Sequence, residues 1–253
     1  MAERRPSERA RTADSARLAA YTGMRAIAQG AYANLELPRV LREKRVSGRD
    51  AAFATELVYG ATRLRGRYDP IIAAAADRPL SKIDPGVLDI LRLGAHQLLG
   101  MRVPSHAAVD SSVALARQVN GIGASGFVNA VLRRIDRMPV EEWVSTVTQG
   151  LPPIEALALE TSHPEWVVKA LRAALLGHGA ATPDSVDAEL AELLAADNAP
   201  AKVSLVARPG LIDRAELVAE AVRAGAVGTS GALAPTAVLL DGGDPGAIPA
   251  VRD

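Results

Sequence analysis

Eight cationic side chains in three short segments are the residues best placed to do chemistry, and the chemistry they suit is phosphate binding. Lys44 and Arg45 stand between Arg42 and Arg49. Arg63, Arg65 and Arg67 alternate with Leu64 and Gly66. Arg133, Arg134 and Arg137 gather on one side of FVNAVLRRIDR, while Phe127, Val128, Val131, Leu132 and Ile135 fill the opposite arc at about 100° per residue. Cations near a helix C-terminus also complement the macrodipole, so a solvated helix end accounts for any one group alone. Their sum is more telling, because phosphate affinity accumulates over contacts. The chain around them is lopsided. Residues 1–140 carry 22 Lys/Arg against 13 Asp/Glu, and residues 141–253 carry 7 against 16, so a net +9 front half is balanced by a net −9 back half. That asymmetry points to a polyanion partner, nucleic acid, held by the front half.

Other chemistries find less support. GIGASG at residues 121–126 spells G-x-G-x-x-G, but a dinucleotide site needs a strand before the glycines, and a helical segment precedes them here. The expectation is a flexible helix–helix loop followed by a helix capped by Ser125, whose N-terminus suits one RNA phosphate. His96, His106, His163 and His178 share no metal-ligand spacing with a carboxylate, and His96 falls near the apolar arc of its helix. No Ser/His/Asp arrangement or Walker motif stands out. The chain has no cysteine, which excludes disulfides, Cys-based zinc sites and a thiol nucleophile within these residues and fits a reducing cytoplasm. No apolar run approaches about 20 residues, and the N-terminus has no signal-peptide core, so no membrane partner is expected.

The elements that must hold the cations are helices. Residues 1–14 read as a disordered basic arm. Residues 15–138 are helical throughout, with segments at Arg17–Gln29, Leu35–Arg45, Asp50–Arg65 and Tyr68–Ala76. Asp84 and Pro85 then open a helix in which Val87, Ile90, Leu91, Gly94 and Leu98 recur at helical spacing. His106–Val119, capped by Ser105, and Gly126–Arg137 complete the set. Residues 139–182 read as a helical connector, with LLGHGAATPDS at residues 175–185 as a flexible loop. Residues 183–253 form a small α/β unit. It holds an acidic helix at Val186–Ala196, a strand at Lys202–Ala207, a helix at Arg214–Arg223 and a second strand at Thr236–Leu240. No closing helix follows. The fold class expected is mainly α: an all-α bundle followed by an incomplete, RRM-like α/β unit.

Taken in order, ELVYGATRLRGRYDPII (residues 56–72), IDPGVLDILRLGAHQLLGMRVPSHAAVDSSVALARQ (residues 83–118) and GFVNAVLRRI (residues 126–135) resemble a NusB-type helical domain, over about Arg17–Arg137. Two families share that domain. One is the free-standing antitermination factor NusB. The other is the 16S rRNA cytosine-5 methyltransferases, which carry it at their N-terminus. The run from Asn129 to Arg134, the chain length beyond the bundle, and SHPEWVVKAL followed by NAPAKVSLVARPG resemble the enzymes more. Those enzymes usually read nearer Leu-Arg-Val-Asn where this chain has Val203, Ser204, Leu205 and Val206. The resemblance implies 16S rRNA as partner, with a ribosomal protein as a second candidate. It also implies S-adenosylmethionine as the cofactor of a catalytic core that uses two cysteines. No cofactor is expected in this chain, which has neither cysteine nor the Gly-rich cofactor loop. The chain thus resembles the N-terminal, RNA-gripping part of a longer enzyme, inactive alone. The alternative is a NusB-like RNA-binding factor with a C-terminal extension.

Overall fold

The computed structural model describes residues 13–199, 202–243 and 245–252, so the expected basic arm lies outside the described residues except for Ala13 and Asp14. Contacts divide the chain after Asn198 into a helical unit and a smaller one.

The helical unit is built around one helix. The Asp84 carboxylate accepts from the backbone N–H groups of Gly86 and Val87 at 2.9 and 3.0 Å, and Pro85 takes the first helical position, which starts α5 (Pro85–Leu99). Every residue from Gly86 to Gln97 is buried. A helix buried nearly all round needs neighbours on every side. These are α1 (Ser15–Ala28), α3 (Gly48–Arg63), α4 (Arg65–Ala76), α6 (Ser105–Asn120) and α7 (Ile122–Ile135). Leu93 joins a cluster with Ala20, Met24, Leu57, Val58 and Leu37, the last on α2 (Ala33–Glu43). Ile90 and Leu91 join Ile71, Ile72, Val128, Leu132 and Ile135.

Four polar residues of α5 are buried with the rest: Asp89, Arg92, His96 and Gln97. The neighbouring helices answer each. Arg92 donates to Asp69 at 2.7 and 2.8 Å and to Asp89 at 3.0 Å, while Arg25 donates to Asp89 at 2.8 Å. Burial opposes the charge on Arg92, yet the two carboxylates hold its guanidinium above the usual range. Arg17 donates twice to the Gln97 side-chain oxygen and lies over the Phe53 ring, 4.7 Å from its centroid. The Tyr68 hydroxyl and His96 Nδ1 are hydrogen-bonded at 2.9 Å. Burial pushes the His96 imidazole below its ordinary value, although Glu56 lies 3.4 Å from Nε2 and favours the charged form. Burial raises the Tyr68 hydroxyl. The ring of His96 presses on α3 so closely that a Cβ at Gly60 would stand 2.0 Å from Nε2.

Two expected caps and one expected loop are not formed. Pro104 precedes α6, and Ser105 is its first residue with no side-chain cap bond. The glycine run at residues 121–126 is not a loop. Gly121 alone turns the chain, at φ 88°, and Gly123 and Gly126 lie inside α7. Ser125 is internal to that helix, its hydroxyl donating to the Ile122 carbonyl at 2.7 Å. A one-residue hairpin with small residues behind it lets α6 and α7 pack closely.

Beyond α7, α8 (Val140–Thr148) is pinned by Trp143, whose indole N–H donates to the Ile135 carbonyl at 2.9 Å. Helices α9 (Pro153–Thr161), α10 (Glu165–Gly177) and α11 (Val186–Asn198) share a second core of Ala158, Val168, Leu190 and Leu194. The sequence places a boundary after residue 182. In the structure α11 buries Leu190 and Leu194 among helices, so the contacts divide sixteen residues later, after Asn198.

The smaller unit runs β1 (Val203–Val206), α12 (Arg214–Arg223), β2 (Gly228–Ser230), β3 (Ala237–Leu240) and α13 (Pro249–Arg252). Its sheet is antiparallel in the order β1-β3-β2, with Leu205 opposite Val238. That is three strands, where an RRM has four. Ala207, Leu217, Ala221, Val238, Leu240 and Ile248 form its core. The strand β2, short and glycine-led, carries no alternation for a sequence to show. Contrary to expectation a short closing helix, α13, is present; it follows the buried Ile248.

Two outcomes test this packing. Gly60→Ala should cost about 3 kcal/mol, since the clash with a held ring exceeds the roughly 1 kcal/mol that alanine gains in a helix; an unchanged urea midpoint would refute the slot. His96 stays neutral in the folded chain at pH values where the unfolded chain, titrating near 6.5, takes up a proton. Stability is therefore complete above about pH 6.5 and falls as pH drops from there towards the depressed value. Melting temperatures measured between about pH 7.5 and about pH 5 should fall more in the parent than in His96→Gln.

Candidate nucleic-acid interface

Helix α7 buries Val128, Val131, Leu132 and Ile135, so its period leaves Arg133, Arg134 and Arg137 exposed around its C-terminal end. None of the three has an acidic partner among the described residues. Arg133 is steadied by a hydrogen bond from Nε to Asn129 Oδ1 at 3.0 Å. This is the arrangement the sequence spacing anticipates.

Lys44 and Arg45 occupy the tip between α2 and α3. Lys44 ends α2; Arg45 follows at φ 54°, in the left-handed region; Val46 then turns inward and is buried. The Arg45 N–H donates to the Arg42 carbonyl at 3.1 Å and the Val46 N–H to the Leu41 carbonyl at 2.9 Å, which is a Schellman closure with its apolar contact between Val46 and Leu41. Arg42, Lys44, Arg45 and Arg49 are all exposed.

Arg63, Arg65 and Arg67 are brought together differently. They form the α3–α4 junction, and α9 ends against it. Arg67 Nε donates to the Glu160 carbonyl at 2.7 Å, and the Ser162 hydroxyl donates to the Arg63 carbonyl at 2.9 Å. A Cβ at Gly66 would lie 3.0 Å from the Ser162 hydroxyl, so the approach is close. Arg63 Nε is buried without a partner. Only Arg65 is exposed, and it pairs with Asp69 at 3.3 Å. Much of this cluster's hydrogen bonding serves the joint between helices.

The structure also assembles a cleft that sequence spacing misses. It lies between the N-terminal ends of α5 and α7, has a volume of about 350 Å³, and is lined by Arg78, Lys82, Asp84, Asn120, Ala124 and Phe127 among others. The Arg78 guanidinium stacks over the Phe127 ring at 4.8 Å. Asn120 Nδ2 donates to Asp84 at 3.2 Å, and its Oδ1 is buried with no partner. Two cations and an aromatic ring suit a phosphate and a planar base. Arg78 and Lys82 stand singly in sequence, and Phe127 is absorbed by the apolar arc of its helix. Nothing in spacing links them; the turn at Gly121 does.

Among the described residues no three His, Asp or Glu side chains converge to hold a metal ion, and no helix is long and apolar enough to cross a membrane. Arg45→Gly removes a side chain from a conformation that glycine adopts freely, and should raise stability by up to about 1 kcal/mol in urea denaturation. A loss of stability would mean the Arg45 side chain supports the fold.

Comparison with known proteins supplies the family. Residues 9–137 match the NusB family. A Mycobacterium tuberculosis (strain H37Rv) protein named as a methyltransferase is 44% identical over 256 residues, covering 100% of this chain and 53% of its own length. A Bacillus subtilis (strain 168) protein bearing the name ribosomal RNA small subunit methyltransferase B is 32% identical, over 83% of this chain and 44% of its own. The chain thus spans about half the length of these curated relatives. The solved structure of PH0851 shares the fold at a TM-score of 0.63 and 13% identity, over 91% of this chain and 49% of that one. With a NusB-family match over half its length laid on an all-α bundle whose order and helix faces follow the sequence pattern, the chain belongs to the NusB family.

Proposed function

We propose that this chain is the RNA-recognition part of an S-adenosylmethionine-dependent enzyme that methylates carbon 5 of a cytosine in 16S rRNA. The observation that carries the reading is that the whole chain matches about half of a longer relative named as a methyltransferase. Its NusB-family half carries the net +9 of the sequence and the cations at the end of α7, which make no ion pair among the described residues. A cytosine inside a duplex must be unstacked before its ring can react, so RNA with unpaired bases is the substrate class. The cleft at Phe127, with Arg78 stacked on its rim, suits one such base.

The residues present do not fit the cofactor. The only G-x-G-x-x-G run lies in the first turns of a helix that follows another helix, and the strand–loop–helix from β1 to α12 belongs to an antiparallel sheet and has a single glycine, Gly210, in its loop. Nor does the chain contain the cysteine that attack on cytosine requires in the family it resembles. In this reading methyl transfer belongs to a catalytic part outside these residues, this chain methylates nothing alone, and the work takes place in the cytoplasm, where ribosomes are made.

Replacing Arg133, Arg134 and Arg137 together with Gln should weaken binding to 16S rRNA fragments, followed by fluorescence anisotropy, at least about tenfold. It should also lower the salt slope by about 2 to 3, the share of three phosphate contacts. An unchanged slope would remove this face from the interface.

A further inference from the structure

The tip between α2 and α3 is a second cationic surface, separate from α7. Helix α2 packs on α1 and α3, whereas α7 packs on α4, α5 and α6, so the two groups stand on different sets of neighbours, and α5 touches both sets. On its own side the tip is the exception. Arg17 pairs with Asp14, Arg25 with Asp89, and Arg39 with both Glu36 and Glu43. Arg39 therefore occupies the two carboxylates of α2 that stand nearest the tip in sequence. Arg42, Lys44, Arg45 and Arg49 are left exposed, with no ion pair among the described residues.

The tip is also held rigidly. Lys44, Arg45 and Val46 each donate a backbone hydrogen bond into the last turn of α2, and Val46 is anchored beside Ala19 and Val40. Arg45 keeps a long cationic side chain where a left-handed backbone favours glycine. Four cations in eight residues, on a fixed loop without aromatic side chains, present charge and no base-stacking surface. A single strand is gripped by cations together with aromatic platforms. A duplex offers a dense rail of phosphates, with two strands of charge along one axis.

We infer that the α2–α3 tip is a docking surface for the sugar–phosphate backbone of duplex RNA, so that the bundle holds a folded RNA at two places: a paired stem at the tip and an unpaired stretch at α7 and its cleft. This rests on the RNA reading of the α7 face. It makes the substrate class a stem with a flanking single strand.

The test compares two probes on the full chain: a short single-stranded 16S rRNA oligonucleotide, and the same sequence attached to a stem. Arg42→Gln, Lys44→Gln, Arg45→Gly and Arg49→Gln are combined in one variant, whose fold is checked by its melting temperature. Expected is a loss of about tenfold or more for the stem-bearing probe with a salt slope lower by about 3 to 4, and little change for the single strand. Equal losses on both probes would make the tip part of one continuous site and overturn the inference. So would no loss on the stem, which would leave the tip as solvated surface. The α7 triple variant separates the two readings. If it weakens neither probe, the α7 reading fails, whatever the tip variant does.

Discussion

Helix α5 carries a carboxylate and a guanidinium, Asp89 and Arg92, through the middle of the bundle almost without access to water. Leaving either unpaired there would cost several kcal/mol, because a buried charge keeps its desolvation penalty when its partner is lost. Each charge is therefore answered from a different helix: Asp89 by Arg25 of α1, Arg92 by Asp69 of α4. An apolar helix can slide along a greasy groove at little cost, but a helix held by such pairs has one register against its neighbours. His96 adds the same constraint sterically, since only a glycine at residue 60 admits its ring. Buried ionic groups of this kind give weak net stability, and their contribution is the register they select.

That register also decides where charge stands on the surface. Net charge depends only on composition, but the location of the excess depends on where the acids are used. In the first seven helices Asp69 and Asp89 pair inside the bundle, Asp84 is spent on a helix start and Glu36 and Glu43 on Arg39. Asp50, Asp77, Asp110 and Asp136 remain exposed as well, but the exposed cations outnumber them and gather at helix ends: the C-terminus of α7 and the tip after α2. Both positions favour cations through the macrodipole, so the fold tolerates them without acidic partners. The interior pairing and the exposed cationic charge are two results of one arrangement.

Periodicity made most of the bundle legible. Asp84 and Pro85 announced α5, and the apolar arc of α7 placed its arginines on the outer side before any contact was known. What stayed hidden depends on contacts between distant residues. Arg63, Arg65 and Arg67 look in sequence like the densest cation group, yet a carbonyl at Glu160 and a hydroxyl at Ser162 draw that segment into a joint. The glycines at residues 121–126 spell a loop, because glycine weakens a helix. Here tight packing of α6 against α7 outweighs that cost. Helix α11 is amphipathic and acidic, which shows that one face is buried without showing against what. Tertiary partners decided all three, and no local pattern encodes them.

Three of the cations are held by contacts of their own before any ligand arrives. Arg45 sits in a closed Schellman turn, Arg133 leans on Asn129, and Arg78 lies against Phe127. Ordering costs on association are correspondingly small, confined mostly to the outer torsions of the side chains. Yet cations read phosphate, and phosphate contacts position an RNA without specifying its sequence. Among the described interface groups the Phe127 ring is the one that offers a stacking face to a base. On the proposed function, a surface of this composition selects RNA by the spacing of its phosphates, hence by shape. On the function proposed above, discrimination of one cytosine among many then depends on where the cations hold the RNA, with the bases themselves read at the cleft or by residues outside this chain.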